Sequence, residues 1–157
     1  NASSTTQLLA VGNGTSAARS TAFAVDKSGD VYVAGALAHS SDSRLKTSVS
    51  TIGGALESVM KMRGVTFYWD KGMAANASAS QELQYGFIAQ EIEKIFPSLV
   101  STGANGYKSV NYIGIIPVMA QAVKEQQQEI ESLRKENEEL KSALESLIKR
   151  VEALEKK

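Results

Sequence analysis

Apolar positions fall into three regimes along this chain. Over residues 1–40 they come as short runs, "QLLAV", "TAFAV" and "VYVAGAL", divided by "GNGTSAARS" and "DKSGD". Gly, Asn, Asp and Ser in the dividers favour turns, so "TAFAVDKSGDVYVAG" predicts two strands joined at Lys27-Ser28-Gly29. So little apolar mass cannot bury itself within one chain. The segment is expected to be the end of a β-structured stalk that relies on neighbouring chains, with a disordered linker as the alternative.

Residues 41–111 predict a compact α+β unit. Ile52, Leu56, Val59 and Met60 recur at roughly helical spacing, with Gly64 as a stop. Val65, Phe67 and Trp69 alternate as on one face of a half-buried strand. The small polar residues of "KGMAANASASQE" make a loop. Ile88, Ile92 and Ile95 then mark one face of a second helix, which Pro97 ends. "NGYKSVNY" reads as a turn into a further short strand. These stripes have the character of core rather than of cofactor contacts.

From residue 112 to 157 the spacing changes again. A seam advances in steps of three and four through Ile116, Met119, Val123, Gln126, Ile130, Leu133, Asn137, Leu140, Leu144, Leu147, Val151 and Leu154. This is a heptad pattern, with Ile130, Asn137, Leu144 and Val151 at a and Leu133, Leu140, Leu147 and Leu154 at d. Glu129 precedes Arg134, Glu136 precedes Lys141 and Arg150 precedes Glu155, each by the five residues that join g of one helix to e of a parallel neighbour. A long parallel coiled-coil helix follows. Asn137 at a favours one register and leans towards two chains, whereas Ile148 at e widens the apolar face and suits three. Periodicity leaves dimer and trimer open.

Composition removes several classes of function. Lys+Arg and Asp+Glu are equal at 17 each in 157 residues, so no charge excess points to nucleic acid or an anionic membrane. No apolar run approaches the ~18 residues needed to span a bilayer. The start, "NASSTTQLLAVGNG", has no basic segment followed by an apolar core and reads as cut from a longer protein. With no cysteine and a single histidine, His39, there is no thiol dyad and no zinc cluster, and neither metal nor cofactor is expected. Gly53-Gly54 lacks the Lys-Ser/Thr that would complete a phosphate loop.

One stretch keeps a chemical alternative, "HSSDSRLK" at residues 39–46. His39, Ser40 and Asp42 are too close in sequence to form a triad in which the acid orients the base from behind. A serine-lysine dyad of Ser41 and Lys46 is chemically sound, because a neutral lysine can take the hydroxyl proton. Five residues apart, the two would lie about 140° around a regular helix, so a turn or a second chain must bring them together. The plain alternative is a polar linker in which Ser41 or Ser43 caps a helix.

"SSDSRLK", "MRGVTFYW", "YGFIAQEIEKIFPSLV" and "VNYIGIIPVMAQAVKE" occur in an order that resembles one family. It is the C-terminal intramolecular chaperone, or self-cleaving auto-processing domain, of phage tailspikes and tail fibres, with a related domain in the myelin regulatory factor proteins. The resemblance runs over roughly residues 40 to 130. It implies an intertwined homotrimer that folds the upstream β-stalk of the same polypeptide and then cuts itself free. The cut would fall between Ser40 and Ser41, with Ser41 as nucleophile and Lys46 as general base. Asp42 and Arg44 match the motif and would support it structurally. The precursor would be made in the host cytoplasm and the domain released from the mature fibre. Two other readings stand beside this one: an uncleaved trimerising tip, and a tip whose 71–82 loop contacts a host glycan.

Overall fold

The computed structural model describes residues 7–18, 20–27, 30–70 and 82–156. Ser28 and Gly29 of the expected turn, and all of the expected polar loop but Glu82, lie outside those residues. What is described is α+β, with small antiparallel sheets and one long C-terminal helix. It divides into two compact units that interleave along the chain, Asn1–Val49 with Val65–Gly86, and Ser50–Gly64 with Phe87–Lys157.

In the first unit β1 (Gln7–Gly12), β2 (Thr21–Asp26) and β3 (Val31–Val33) form an antiparallel sheet with β2 in the centre. Directly opposed residues share a face, which aligns Val11, Phe23 and Val33 in one row and Leu9, Val25 and Val31 in the next. The β2–β3 connection is closed by Asp26, whose backbone N–H donates to the Asp30 carbonyl and whose carboxylate accepts the Asp30 N–H. Among the described residues of this unit only Ala24 is buried, while Leu9, Val11 and Val31 are more than half exposed. The sheet therefore leaves an apolar face open in the single chain.

The same unit holds a ribbon of β4 (Val65–Phe67) and β5 (Gln84–Gly86), paired Val65 to Gly86 and Phe67 to Gln84. The expected strand face of Val65, Phe67 and Trp69 is cut short. β4 can extend only as far as β5 supplies partners, so Trp69 lies beyond the strand and is 52% exposed, its ring edge-on to Phe67 at 5.2 Å.

The second unit comprises α1 (Ala55–Met60), α2 (Ala89–Ile95), a hairpin of β6 (Val100–Thr102) and β7 (Lys108–Val110), and α3 (Tyr112–Glu155). Its core is Ala55 on α1 against Val118 and Ala122 on α3, ringed by Ile52, Leu56, Val59 and Phe96. Small side chains at the contact let the two helices approach closely. Met60, expected on the same stripe, is 77% exposed. On α1 the buried face is marked by Ala55 and Val59, and Met60 lies about 140° and about 100° around the helix from them. Ile92 is the buried residue of α2, whereas Ile88 only caps that helix and stays partly exposed.

Gly54, with φ +64°, starts α1 without a capping side chain, and Glu125 of α3 replaces one by accepting the Leu56 N–H at 2.8 Å. That bond satisfies a donor the helix itself cannot, and it lowers the Glu125 pKa. Asn111 caps α3 through the Gly114 N–H at 3.0 Å. With 44 residues, α3 is about 66 Å long at 1.5 Å per residue. Its first turns bury Ile115, Val118 and Ala122, and beyond them Leu133, Leu140, Leu147 and Leu154 are all exposed in the single chain. Among the described residues no helix is long and apolar enough to cross a membrane.

Candidate active site

Two residues of extended backbone flank a single turn of 3-10 helix, Ser43–Leu45. Asp42 makes the turn form. Its φ of −62° and ψ of 133° place the carboxylate over the Arg44 N–H, which donates to Oδ1 at 2.9 Å. The Arg44 guanidinium closes on the same carboxylate from outside, Nε to Oδ1 at 3.0 Å and a terminal nitrogen to Oδ2 at 2.7 Å. This fork geometry is the strong form of a carboxylate contact. It holds the Asp42 carboxyl below its ordinary pKa, with the Arg44 side chain as the larger cause and its backbone N–H the smaller. The Leu45 N–H donates to the Asp42 carbonyl and the Lys46 N–H to that of Ser43, each at 3.1 Å.

The turn brings the two ends of the motif together. Lys46, again extended at φ −118° and ψ 143°, reaches back so that Nζ donates to Ser41 Oγ at 2.7 Å. A continuous helix would have kept them apart, and the 3-10 turn supplies the reversal that the spacing demanded. Ser41 and Lys46 are exposed in the single chain, as are Ser40, Asp42 and Arg44. His39 makes no hydrogen bond among the described residues and stands outside the cluster. No group of His, Cys, Asp or Glu capable of holding a metal occurs among the described residues.

One feature of the loop carries no signal in the sequence. Ser48, two residues beyond Lys46, has φ +53° and is the one non-glycine residue of the described chain in the left-handed region. Arg63 lies beyond the end of α1 and forms a two-pronged pair with Glu91 of α2.

Residues 41–101, which include this turn, match a peptidase-class family described as the chaperone of endosialidase. The resemblance read from the sequence blocks is therefore real: this stretch carries the pattern of a C-terminal chaperone domain of phage tail fibres. Among similar proteins is the long tail fiber protein Gp37 of Salmonella phage S16, 33% identical over 113 residues, which cover 70% of this chain and 15% of that protein. Another is Gp37 of Escherichia phage AR1, 34% identical over 98 residues, 61% of this chain and 8% of that protein. The chain thus corresponds to a small part of each of these long proteins.

Proposed function

We propose that this chain is an intramolecular chaperone that gathers three copies of an upstream β-stalk and then releases itself by cutting the Ser40–Ser41 bond. The observation that carries the reading is the 2.7 Å contact between Lys46 Nζ and Ser41 Oγ across the 3-10 turn. Relatives that are long tail fibre proteins suggest the client, a fibre segment of the same polypeptide.

The chemistry balances without a cofactor. With Lys46 as the neutral amine, its lone pair takes the Ser41 hydroxyl proton while Oγ attacks the Ser40 carbonyl carbon. The bond from that carbon to the Ser41 nitrogen breaks, and Lys46 returns the proton to the departing amine. An ester links Ser40 to Ser41 Oγ until water hydrolyses it, leaving a carboxylate on Ser40 and a free amino group on Ser41. Asp42 and Arg44 transfer no proton; they fix the turn that sets the distance.

Trimerisation serves both parts of this scheme. The open apolar face of the β1–β2–β3 sheet and the exposed seam of α3 each need cover that one chain does not provide. Among the described residues Arg134, Glu129, Arg150 and Glu155 show no ion pair within the chain, and they stand at the positions that form g-to-e pairs between chains. Joining the chains at α3 raises the effective concentration of the attached strands. Neighbouring copies packed over the exposed dyad would also exclude water from it.

Hydroxylamine tests the route directly, since it intercepts an ester and leaves a hydroxamate on Ser40. Trapping at Ser40 in the wild type, and none in Ser41→Ala or Lys46→Ala, is expected. Fragments with the same ends from either variant would remove the dyad. The exposure of both dyad groups is what favours the other reading, an uncut trimerising tip, and that reading predicts a single intact chain.

A further inference from the structure

We propose that Asn13 is a site of spontaneous chemical modification, its side-chain amide lost to water through a cyclic imide formed with Gly14. The proposal does not rest on the dyad reading. Two asparagines of the chain are followed by glycine, Asn13 and Asn105. A glycine there has no side chain to crowd the attack of its backbone nitrogen on the asparagine amide. The fold treats these two pairs in opposite ways.

Asn105 lies between β6 and β7, where the Gly106 N–H donates to the Gly103 carbonyl at 2.9 Å. The Asn105 side-chain oxygen accepts the Tyr107 N–H at 3.1 Å, and the Gly103 N–H donates to the Tyr107 carbonyl at 2.8 Å. The Gly106 nitrogen must give up its proton before it can attack, and that proton is held inside a closed turn. Asn13 follows directly on β1. Its N–H donates to the Ser20 carbonyl at 3.2 Å, and its side-chain oxygen accepts the Ser20 hydroxyl. The Gly14 N–H has no acceptor among the described residues, and both Asn13 and Gly14 are exposed. The electrophile is held and polarised here, while the proton on the nucleophile stays open to hydroxide.

The steps balance with water alone. Hydroxide removes the Gly14 amide proton, and the nitrogen bonds to Asn13 Cγ. Negative charge passes to Oδ1, where the Ser20 hydroxyl stabilises it. The bond from Cγ to Nδ2 breaks, Nδ2 takes a proton from water, and ammonia leaves as hydroxide is restored. Water then opens the imide at either carbonyl, giving aspartate or isoaspartate at position 13. Each product puts a negative charge at the end of β1, and isoaspartate also lengthens the main chain by a methylene.

The chain of residues 1–157 carrying Ser41→Ala, so that residue 13 stays attached, would be held at mildly alkaline pH and followed by peptide mass mapping. Asn13 should convert in a first-order process that quickens with pH and yields isoaspartate beside aspartate. Asn105 should convert at least about fivefold more slowly, the factor for opening one hydrogen bond. In urea the two rates should converge. Gly14→Ala and Ser20→Ala should each slow the loss at Asn13. An unchanged Asn13, or an Asn105 that converts as fast in the folded chain, would overturn the proposal. So would a difference that persists in urea, because the fold would not be its cause. An all-aspartate product, or an undiminished rate in Gly14→Ala, would overturn the imide route. An undiminished rate in Ser20→Ala would overturn the part given to its hydroxyl.

Discussion

Leu140 sits at a d position in the middle of α3 and is 63% exposed in the single chain. Burying a leucine side chain completely is worth about 1.5–3 kcal/mol. Covering the exposed fraction therefore gains about 1–2 kcal/mol per chain, or about 3–6 kcal/mol for a layer of three in the proposed trimer. At about 1.4 kcal/mol per decade, Leu140→Ala should lower the trimer association constant by about 10²–10⁴. Sedimentation equilibrium over a concentration series reads this directly, with Ser142→Ala on the polar face as the control. A Leu140→Ala chain that associates as tightly as the wild type would refute the seam. So would an equal loss in the control, because the weakening would then be unrelated to the heptad face.

Ile92 is 1% exposed on α2, so Ile92→Ala should destabilise the helical unit by about 2–5 kcal/mol; an unchanged denaturation midpoint would contradict its place in the core. Asn137→Ile should raise the melting temperature while broadening the distribution of oligomer masses, since a polar a position fixes register at a cost in stability. A mass distribution as narrow as the wild type's would show that register is set elsewhere. Four carboxyls have lowered pKa values: Asp42 beside Arg44, Glu57 beside Lys61, Glu91 beside Arg63, and Glu125 on the Leu56 N–H. Each binds its proton less readily folded than unfolded, so its contribution is complete above the ordinary carboxylate range near 4 and is lost as pH falls through the folded values. The melting temperature of the uncleavable chain should thus hold from neutrality to about pH 5 and decline below it. Constancy down to pH 3 would contradict these pairings.

How much of this was legible in the sequence depends on the range of the interaction. The α3 helix was readable because a heptad repeat writes one surface into every turn, and β1, β2 and β3 because Gly- and Ser-rich dividers isolate their apolar runs. β5 was missed: Tyr85 and Gly86 adjoin the α2 stripe in sequence, and only the pairing to β4 makes them a strand. Met60 was misplaced because Ala55, a residue with little apolar signal, turned out to define the buried face of α1. Glu125, capping a helix 69 residues earlier, has no local pattern to reveal it. For the site, chemistry supplied the residue types and the resemblance supplied their roles. The geometry added the reason they meet, which is the turn that Asp42 and Arg44 hold.

The central claim is that Ser41 and Lys46 together cut the bond before Ser41. Intact-mass measurement of freshly made wild type and Ser41→Ala, side by side under denaturing conditions, tests it most directly. The account predicts two wild-type species, one ending at Ser40 and one beginning at Ser41, their masses summing to the whole chain plus one water, and a single full-length Ser41→Ala species. A full-length wild type, or a Ser41→Ala chain divided at the same bond, would contradict it.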